Sequence, residues 1–467
     1  MAFPATLSTL PEGIQASIDL IADFDQCFLA GFANLERSHE KTLASWQRIF
    51  SGTPLHQPLI EACAALQRNE FVEHHFTVLA ATRTALQGSL FDALQQHVRD
   101  ALGRPRISEV VSCDRANNPA NDESAEIPEP LSVWLENIRH WLMEIALVGY
   151  TRLDITTLVP FLPALEQIQK EPHLTRQAAL LTGFLNELLH SVPIASSNDI
   201  PLYRWGDLWS QGMVSALNPI PLPQPQSVSG TLTILGIDLR HHDNLVSLVA
   251  YGVFNVDESM QLVRSTFSAY KVDAISGDEI WLLFPDAAPL LNAFAQNKRV
   301  QLDDVLLLPT GDLLWNNNGT PANKYKLLQN ASEFFQIDAP KQLTPCLIQP
   351  ADRHPIQLAE PVFLNNYHFE PDSASLSWDE AGTLPIATER LSPLSALGLE
   401  IIANSTELFG LLRFNAGRWA LQPLAATVNG KPLFTGQTAA KILKKPPKNS
   451  TISILQERAS RLLRQKS

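Results

Sequence analysis

The first half of the chain carries apolar residues at the three- and four-residue spacing of amphipathic helices. Ile14, Ile18 and Ile21 form one such face, and similar faces recur in the segments that follow. A Ser-Gly-Thr-Pro segment at 51–54 interrupts the pattern, because glycine suits the end of one helix and proline the first turn of the next. The spacing therefore predicts an all-α N-terminal domain over residues 1–217.

A last helix of this domain is expected to begin near Pro201 and to carry a broad aromatic stripe. Leu202, Trp205 and Trp209 fall on one face at spacings of three and four residues. Such large side chains rarely stay exposed, so packing in a core or at a domain interface is the simplest explanation. Tryptophan is also frequent in binding hot spots, and Trp205 and Trp209 are therefore candidate residues for partner binding.

Two segments have a composition that does not favour helices. Residues 112–130 combine several acids with almost nothing to bury, and we expect a mobile acidic loop there. Between residues 218 and 228 proline alternates with other residues, which excludes a helix and stiffens the backbone toward an extended form. We interpret residues 218–228 as the linker that ends the helical domain.

After the linker the apolar pattern changes to that of β-strands. Short runs rich in Val, Leu, Ile, Phe and Thr are separated by turn segments that contain Asn and Gly. Two helices, at 286–296 and 325–335, interrupt the strands. These features predict an α+β, mainly antiparallel domain over residues 229–436. The predicted strands lie at 231–239, 245–254, 261–270 and 279–284, and the predicted turns at 309–312, 316–319, 415–417 and 429–430.

The run at 261–270 has two different faces. Val263 and Phe267 share one face, whereas Arg264 and Thr266 share the other. This alternation indicates a sheet that is wet on one side.

The C-terminal segment differs in charge from the rest of the chain. From residue 431 onward there are nine Lys or Arg and one acid, a net charge of +8, against 26 basic and 47 acidic residues, a net charge of −21, before it. We expect a basic linker and a short amphipathic helix over residues 437–467, whose apolar stripe needs a surface to cover it. Docking to an acidic protein, contact with nucleic acid and a contribution to solubility are the alternative roles. The candidate partner-binding residues of this helix are Ile452, Leu455, Leu462, Arg458 and Arg461.

Composition narrows the classes of function. The chain of 467 residues has 48 acidic and 35 basic residues, so its net charge of −13 disfavours nucleic-acid binding except through the basic tail. Its four cysteines are scattered, without the spacing of a zinc site, and suit a reducing cytoplasm. No secretory signal and no apolar run of roughly 20 residues is present. We expect a cytoplasmic protein that does not enter the membrane.

The densest polar cluster comprises Asp238, His241, His242 and Asp243, at the end of a predicted strand. Imidazoles and carboxylates there can bind a divalent metal or provide a general base, which would suit a metal-dependent hydrolase or nuclease. Adjacent histidines on a strand point to opposite faces, however, so a polar hairpin turn with solvated histidines is the preferred interpretation. The chain carries no nucleophile elbow, zinc-protease, dinucleotide-binding or phosphate-loop motif, and no catalytic residue, metal or cofactor is predicted.

Several stretches carry a resemblance to a known family. RWGDLW, LGIDLRHH, AYKVD and PTGDLLW, which begin at residues 204, 235, 269 and 309, together with Trp281, resemble a bacterial family. Genes of that family lie beside genes for a MoxR-type AAA+ ATPase, a von Willebrand factor A protein and a SWIM zinc-finger protein. The resemblance covers roughly residues 200–320 and implies an accessory subunit that works beside an ATPase. It implies no catalytic residues.

The leading hypothesis is a non-enzymatic adaptor or scaffold subunit of a bacterial cytoplasmic multiprotein system. Its C-terminal helix would dock onto a protein partner, for which the resemblance points to the AAA+ ATPase or the von Willebrand factor A protein. The first alternative is a metal-dependent hydrolase or nuclease that uses the Asp238, His241, His242 and Asp243 cluster. The second alternative is an accessory protein tethered to nucleic acid through the basic tail.

Overall fold

The structure of the protein, a computed structural model, is helical in its first half and built of sheets and helices in its second. The predicted order of an α-helical region followed by a mainly antiparallel α+β region is therefore confirmed. The structure describes residues 3–104, 129–171, 174–217, 224–242, 245–257, 259–335, 343–346, 348, 352–378, 382–447 and 450–464. The predicted acidic loop lies outside the described residues up to residue 128, and so does the linker up to residue 223.

The helices of the first half pack around a core rich in aromatic side chains. Phe24 and Trp46 are fully buried, and their rings stack with centres 4.4 Å apart. The break predicted at 51–54 is confirmed, and Gly52 there adopts a φ of 81° that favours glycine. The helices are α1 (Phe3–Ser8), α2 (Ile14–Asp25), α3 (Cys27–Ala30), α4 (Arg37–Ile49), α5 (His56–Gln67), α6 (Glu73–Ala101), α7 (Glu129–Val148), α8 (Ile155–Leu158), α9 (Leu162–Ile168), α10 (Thr175–Ser191) and α11 (Leu202–Leu217).

The first sheet of the second half has the strand order β5-β4-β1-β2-β3-β7, with β6 paired to β4. All its pairs are antiparallel except β3 with β7. Helices α12 and α13 confirm the two helices predicted between the strands. The elements are β1 (Gln226–His242), β2 (Leu245–Val256), β3 (Ser259–Tyr270), α12 (Ala288–Ala295), β4 (Lys298–Leu307), β5 (Leu313–Leu314), β6 (Thr320–Lys324), α13 (Leu327–Phe335) and β7 (Leu343–Thr344).

The predicted strand at 279–284 is wrong, because the chain forms a 3-10 helix over Gly277–Leu283 instead. Ile280 and Trp281 are adjacent in sequence, and both are buried. A strand would point these neighbours to opposite faces, whereas a tight helical turn lets both reach the same core.

A second sheet follows in the order β14-β13-β12-β8, and a small third sheet in the order β11-β10-β9. Every pairing in both sheets is antiparallel. Their elements are β8 (Glu360–Asn365), β9 (His368–Glu370), β10 (Ser375–Trp378), β11 (Gly382–Pro385), α14 (Leu399–Ala403), β12 (Glu407–Asn415), β13 (Arg418–Val428) and β14 (Lys431–Phe434).

The second sheet lies between the helices and the first sheet, and both of its faces are buried. Leu408 and Leu412 of β12 belong to the core shared with the helices, whereas Phe409 and Leu411 belong to the core shared with the first sheet. A strand covered on both faces reads as a continuous apolar run, which β12 does. The molecule therefore has three layers, and its two cores meet at this sheet.

The two sheets approach each other most closely at Gly236. A Cβ atom at this position would lie 2.6 Å from the Cβ of Leu424 on β13. Only glycine leaves room for β1 and β13 to cross at this distance.

Part of the C-terminal segment that was predicted to be a linker is folded. Residues 439–444 form a helix, α15 (Ala439–Lys444), and Ala439 is fully buried. The predicted C-terminal helix is present as α16 (Thr451–Arg464). The described basic residues from 431 onward thus begin in a sheet strand and end in α16.

The turns predicted around glycine and asparagine are present. Gly311, Gly417 and Gly430 adopt φ values of 79°, 76° and 71°, and Asn429 adopts 52°. These are left-handed conformations that glycine accepts freely and asparagine tolerates. Within the described residues, no helix is both long and apolar enough to cross a membrane.

Candidate functional site

Asp238, the first residue of the predicted polar cluster, is a buried counter-ion. Its side chain is 2% exposed on β1 and accepts hydrogen bonds from arginines of both sheets: Arg240 Nε at 2.7 Å and Arg413 Nη2 at 3.1 Å. Gln422 Nε2 of β13 donates a third bond at 2.7 Å. Burial of an unpaired charge is costly, so the carboxylate needs these partners. Because they come from both sheets, the carboxylate joins the first sheet to the second.

Among the other members of the predicted cluster, the structure describes only the side chain of His241. His241 is exposed and lies three residues further along β1, so it points to the opposite face of the sheet. Asp238 and His241 therefore do not share a face of β1. The side chain of His242 and residue Asp243 lie outside the described residues. In the part of the chain that the structure describes, no three metal-ligating side chains come together.

A cavity of about 360 Å³ opens beside the Asp238 ion pairs, and we call it the arginine cavity. Its floor is one face of the first sheet. This face contains the polar side of 261–270, which was predicted to be exposed to solvent, and the neighbouring residues of β1 and β2. The helical half closes one side through Arg176 of α10. The lining residues that carry charge or a hydroxyl group are Arg176, Arg240, Ser247, Tyr251, Arg264, Thr266, Thr310, Asp312, Asp352 and Arg413.

Each arginine of the cavity has a carboxylate partner. Arg264 donates from Nε and Nη2 to Asp312 at 2.5 and 3.0 Å, and the Thr310 hydroxyl donates to the same carboxylate at 2.5 Å. At the outer rim Arg176 pairs with Asp352. Burial works to lower the pKa of Arg264, but its bonds to Asp312 raise that pKa overall and keep the guanidinium charged.

The structure corrects the prediction that Trp205 and Trp209 contact a partner. Both indoles lie in the helical core, 1% and 0% exposed, and Trp209 Nε1 donates to the carbonyl oxygen of Leu142 at 2.8 Å. The aromatic stripe of α11 is therefore core, because α6, α7 and α10 cover it.

The same helix contributes to a buried ion cluster around Arg83, which we call the Arg83 cluster. Arg83 of α6 is fully buried and donates from Nε and Nη2 to the two oxygens of Asp25, both at 2.8 Å. Its Nη1 donates to Asp207 of α11 at 2.6 Å. His354, from the segment before β8, places Nε2 2.9 Å from the other oxygen of Asp207. The cluster thus ties three helices to the second half of the chain.

The two acids of the Arg83 cluster differ in proton affinity. Burial raises the pKa of Asp25 to about 6, although Arg83 acts to lower it. Burial also acts to raise the pKa of Asp207, but the charge of Arg83 and the contact with His354 hold it below its usual value. Glycine is needed at position 206 beside this cluster, because a Cβ atom there would lie too close to Asp25 Oδ1, at 2.9 Å.

The predicted partner-binding residues of the tail lie on α16. Ile452 packs partly against the second core, whereas Leu455 is 39% exposed. Arg458 and Arg461 are exposed. The side chain of Leu462 lies outside the part that the structure describes.

Sequence reasoning did not single out Arg83, Arg264 or Arg413 as site residues, yet a signal for Arg83 and for Arg413 exists. Arg83 falls between the apolar positions of the buried face of α6, and Arg413 interrupts the apolar run of β12. A charged residue inside an apolar run indicates a buried ion pair, since such residues are seldom buried alone. The partner of each could not be deduced, because it comes from a distant segment.

No protein-family model matches the chain, and a search of curated proteins also finds no significant match.

We predict that Asp238→Ala and His241→Ala differ strongly in stability. Loss of the Asp238 carboxylate leaves Arg413, 3% exposed, as an uncompensated buried charge, and should lower the free energy of unfolding by about 3–5 kcal/mol. His241→Ala should change it by less than about 1 kcal/mol, because this side chain is exposed. Urea unfolding followed by circular dichroism measures both. Equal destabilisation by the two substitutions would contradict the counter-ion role.

The Asp25 carboxyl should make stability depend on pH. Its pKa of about 6 in the folded state exceeds the value near 4 of an unfolded chain. Between these values the native state keeps a proton that the unfolded state releases, so this contribution is complete below about pH 4 and is lost as the pH rises through 6.

The test compares wild type with Asp25→Asn, which does not titrate. The difference in free energy of unfolding, wild type minus variant, should fall between pH 4 and pH 6 by about 1.4 kcal/mol for each pKa unit of the shift. A difference that stays constant over this range, or that grows, would show that Asp25 is ionised throughout.

Proposed function

We propose that the protein is a non-enzymatic adaptor or scaffold subunit of a bacterial cytoplasmic multiprotein system, and that it docks onto a protein partner through α16. The observation that carries this proposal is the placement of α16. Its first turn is fixed to the body of the protein, and the described side chains beyond it include exposed apolar and basic residues.

The first turn of α16 is held by three contacts. The carboxylate of Glu279 accepts from the backbone N–H of Thr451 at 3.0 and 3.2 Å. Ser450, 3% exposed, caps the helix by accepting from the N–H of Ser453 at 3.1 Å. Ile452 adds apolar contact with the second core. A helix anchored at its start emerges in a defined direction, which lowers the entropy lost on docking.

Beyond the first turn the helix is amphipathic and basic. Ile454 and Leu455 are 42% and 39% exposed, and Arg458 and Arg461 extend the exposed surface. Exposed aliphatic residues one turn from arginines are typical of a helix that binds in a groove. The positive charge of α16 favours an acidic groove on the partner. Residues 1–430 carry a net charge of −21, opposite in sign to that of the helix.

The resemblance of the stretches at 204–209, 235–242, 269–273 and 309–315 supports a partner of a particular kind. It points to a MoxR-type AAA+ ATPase or a von Willebrand factor A protein encoded in the same gene cluster. We propose that one of these carries the acidic groove for α16.

The decisive prediction concerns Leu455→Asp. This substitution puts a carboxylate in the centre of the docking face, so binding to the purified ATPase or von Willebrand factor A protein should weaken about tenfold or more. The fold should be unaffected because Leu455 is already partly exposed. Surface plasmon resonance with the full-length protein measures the affinity.

Ile49→Asp is the matched control, because Ile49 is a 45% exposed aliphatic residue of α4, far from α16 in the chain. It should leave the affinity unchanged. A chain truncated after residue 449 should lose binding while it keeps β14 and α15. Undiminished binding by Leu455→Asp and by the truncated chain would overturn the docking role. Duplex DNA binding that requires α16 and falls steeply with salt would replace it with the nucleic-acid tether.

A further inference from the structure

The arginine cavity collects guanidinium groups from separate parts of the fold. Arg176 comes from α10, Arg240 from β1, Arg264 from β3 and Arg413 from β12. Three carboxylates face these four groups: Asp312 and Asp352 in the lining, and Asp238 beneath it. One positive charge is left over within a confined space, which attracts an anion.

Two arginines keep donors for a ligand. Arg240 uses Nε on Asp238, and Arg264 uses Nε and Nη2 on Asp312. Both terminal nitrogens of Arg240 and Nη1 of Arg264 have no acceptor among the described residues. The two guanidinium groups are also close enough for their charges to oppose each other. An anion bound between them would satisfy the donors and relieve this repulsion.

The exposure of the lining side chains increases from the base of the cavity to its rim. The side chains of Arg413 and Asp238 are 3% and 2% exposed, that of Arg264 is 24% exposed and that of Arg176 is 57% exposed. Arg413 already donates to Gln422, Asp238 and the carbonyl oxygen of Leu358, so it contributes charge rather than a free donor. The arginines with free donors are therefore the ones that solvent and a ligand can reach.

The neutral part of the lining comprises five polar and four apolar side chains. Ser247, Thr266, Thr310 and Tyr251 bring hydroxyl groups to the cavity, and Gln357 brings an amide. These groups suit a hydroxylated ligand more than an apolar one. A volume of about 360 Å³ is at the small end of ligand sites, which run from roughly 300 to 1,000 Å³.

We infer that the arginine cavity binds a small phosphate monoester on a polar, hydroxylated body, such as a sugar phosphate or a nucleoside monophosphate. A phosphate offers three acceptor oxygens, which can meet Arg176, Arg240 and Arg264 from three directions, whereas a carboxylate offers two. Arg240 and Arg264 are the binding residues, Arg176 closes the rim, and Asp238 and Asp312 hold the arginines in place.

Isothermal titration calorimetry of the full-length protein at low ionic strength provides the test. Ribose 5-phosphate should bind, and ribose should not, because the phosphate group supplies the recognition. Adenosine monophosphate and inorganic phosphate show whether the body of the ligand adds affinity, and citrate tests a ligand that offers only carboxylates. A preference for citrate over every phosphate compound would overturn the inference.

Substitutions locate the site. Arg240→Gln and Arg264→Gln should each weaken ribose 5-phosphate binding about tenfold or more, and Arg240→Lys should restore part of the loss. Arg176→Gln should weaken it severalfold without affecting the fold, since this residue is the most exposed of the four. Arg68→Gln, an equal loss of charge at a 59% exposed side chain in the helical half, is the matched control and should bind as wild type.

Two further outcomes contradict the proposal: no binding of any phosphate compound at millimolar concentration, or wild-type affinity in Arg240→Gln, Arg264→Gln and Arg176→Gln. Thermal unfolding of each variant shows whether it is folded. The chain truncated after residue 449 should bind ribose 5-phosphate normally. A failure of the docking role of α16 and a failure of the cavity are therefore separate results.

Discussion

The burial of the Asp238 carboxylate is the constraint on which the second half of the molecule depends. A carboxylate that is 2% exposed must be neutralised by positive charge, and here Arg240 of the first sheet and Arg413 of the second do so together. This requirement fixes where the two sheets cross. Gly236, two residues before Asp238, lets β1 approach β13 closely enough for the bonds to form. The arginine cavity beside this crossing is a consequence, since its charged lining is positioned by the same ion pairs.

The Arg83 cluster repeats this device at the junction of the helices with the second half. Arg83 is buried between Asp25 and Asp207, and His354 reaches the cluster from the segment before β8. Ion pairs of this kind specify one arrangement of packed elements, because any other leaves a buried charge without a partner. The stretches that carry the family resemblance supply Asp207 to the Arg83 cluster. They also supply Asp238, Arg240, Thr310 and Asp312 to the arginine cavity and its ion pairs. They therefore mark where the parts of the fold meet.

Apolar periodicity predicted most of the elements. The strands β1, β2 and β3, the helices α11, α12 and α13 and the glycine turns all lie where local spacing places them. Local spacing failed at 279–284, where neighbouring side chains enter one core. At Trp205 and Trp209 the expectation of core packing is met, whereas the alternative of partner contact is not, because other helices cover both indoles. The candidate site could not be predicted from the sequence, because its residues come from distant segments of the chain. Asp238 meets Arg413 across 175 residues of sequence, and only the crossing of two sheets brings them together.

The central claim is that the carboxylates of Asp238 and Asp312 hold charged arginines around a cavity suited to a phosphate group. A crystal of the full-length protein grown with tungstate, a tetrahedral oxyanion with a strong anomalous signal, tests this claim most directly. The account predicts an anomalous peak between the guanidinium groups of Arg240 and Arg264, within hydrogen-bond distance of both. Tungstate bound at other surface arginines, with none between these two, would contradict it.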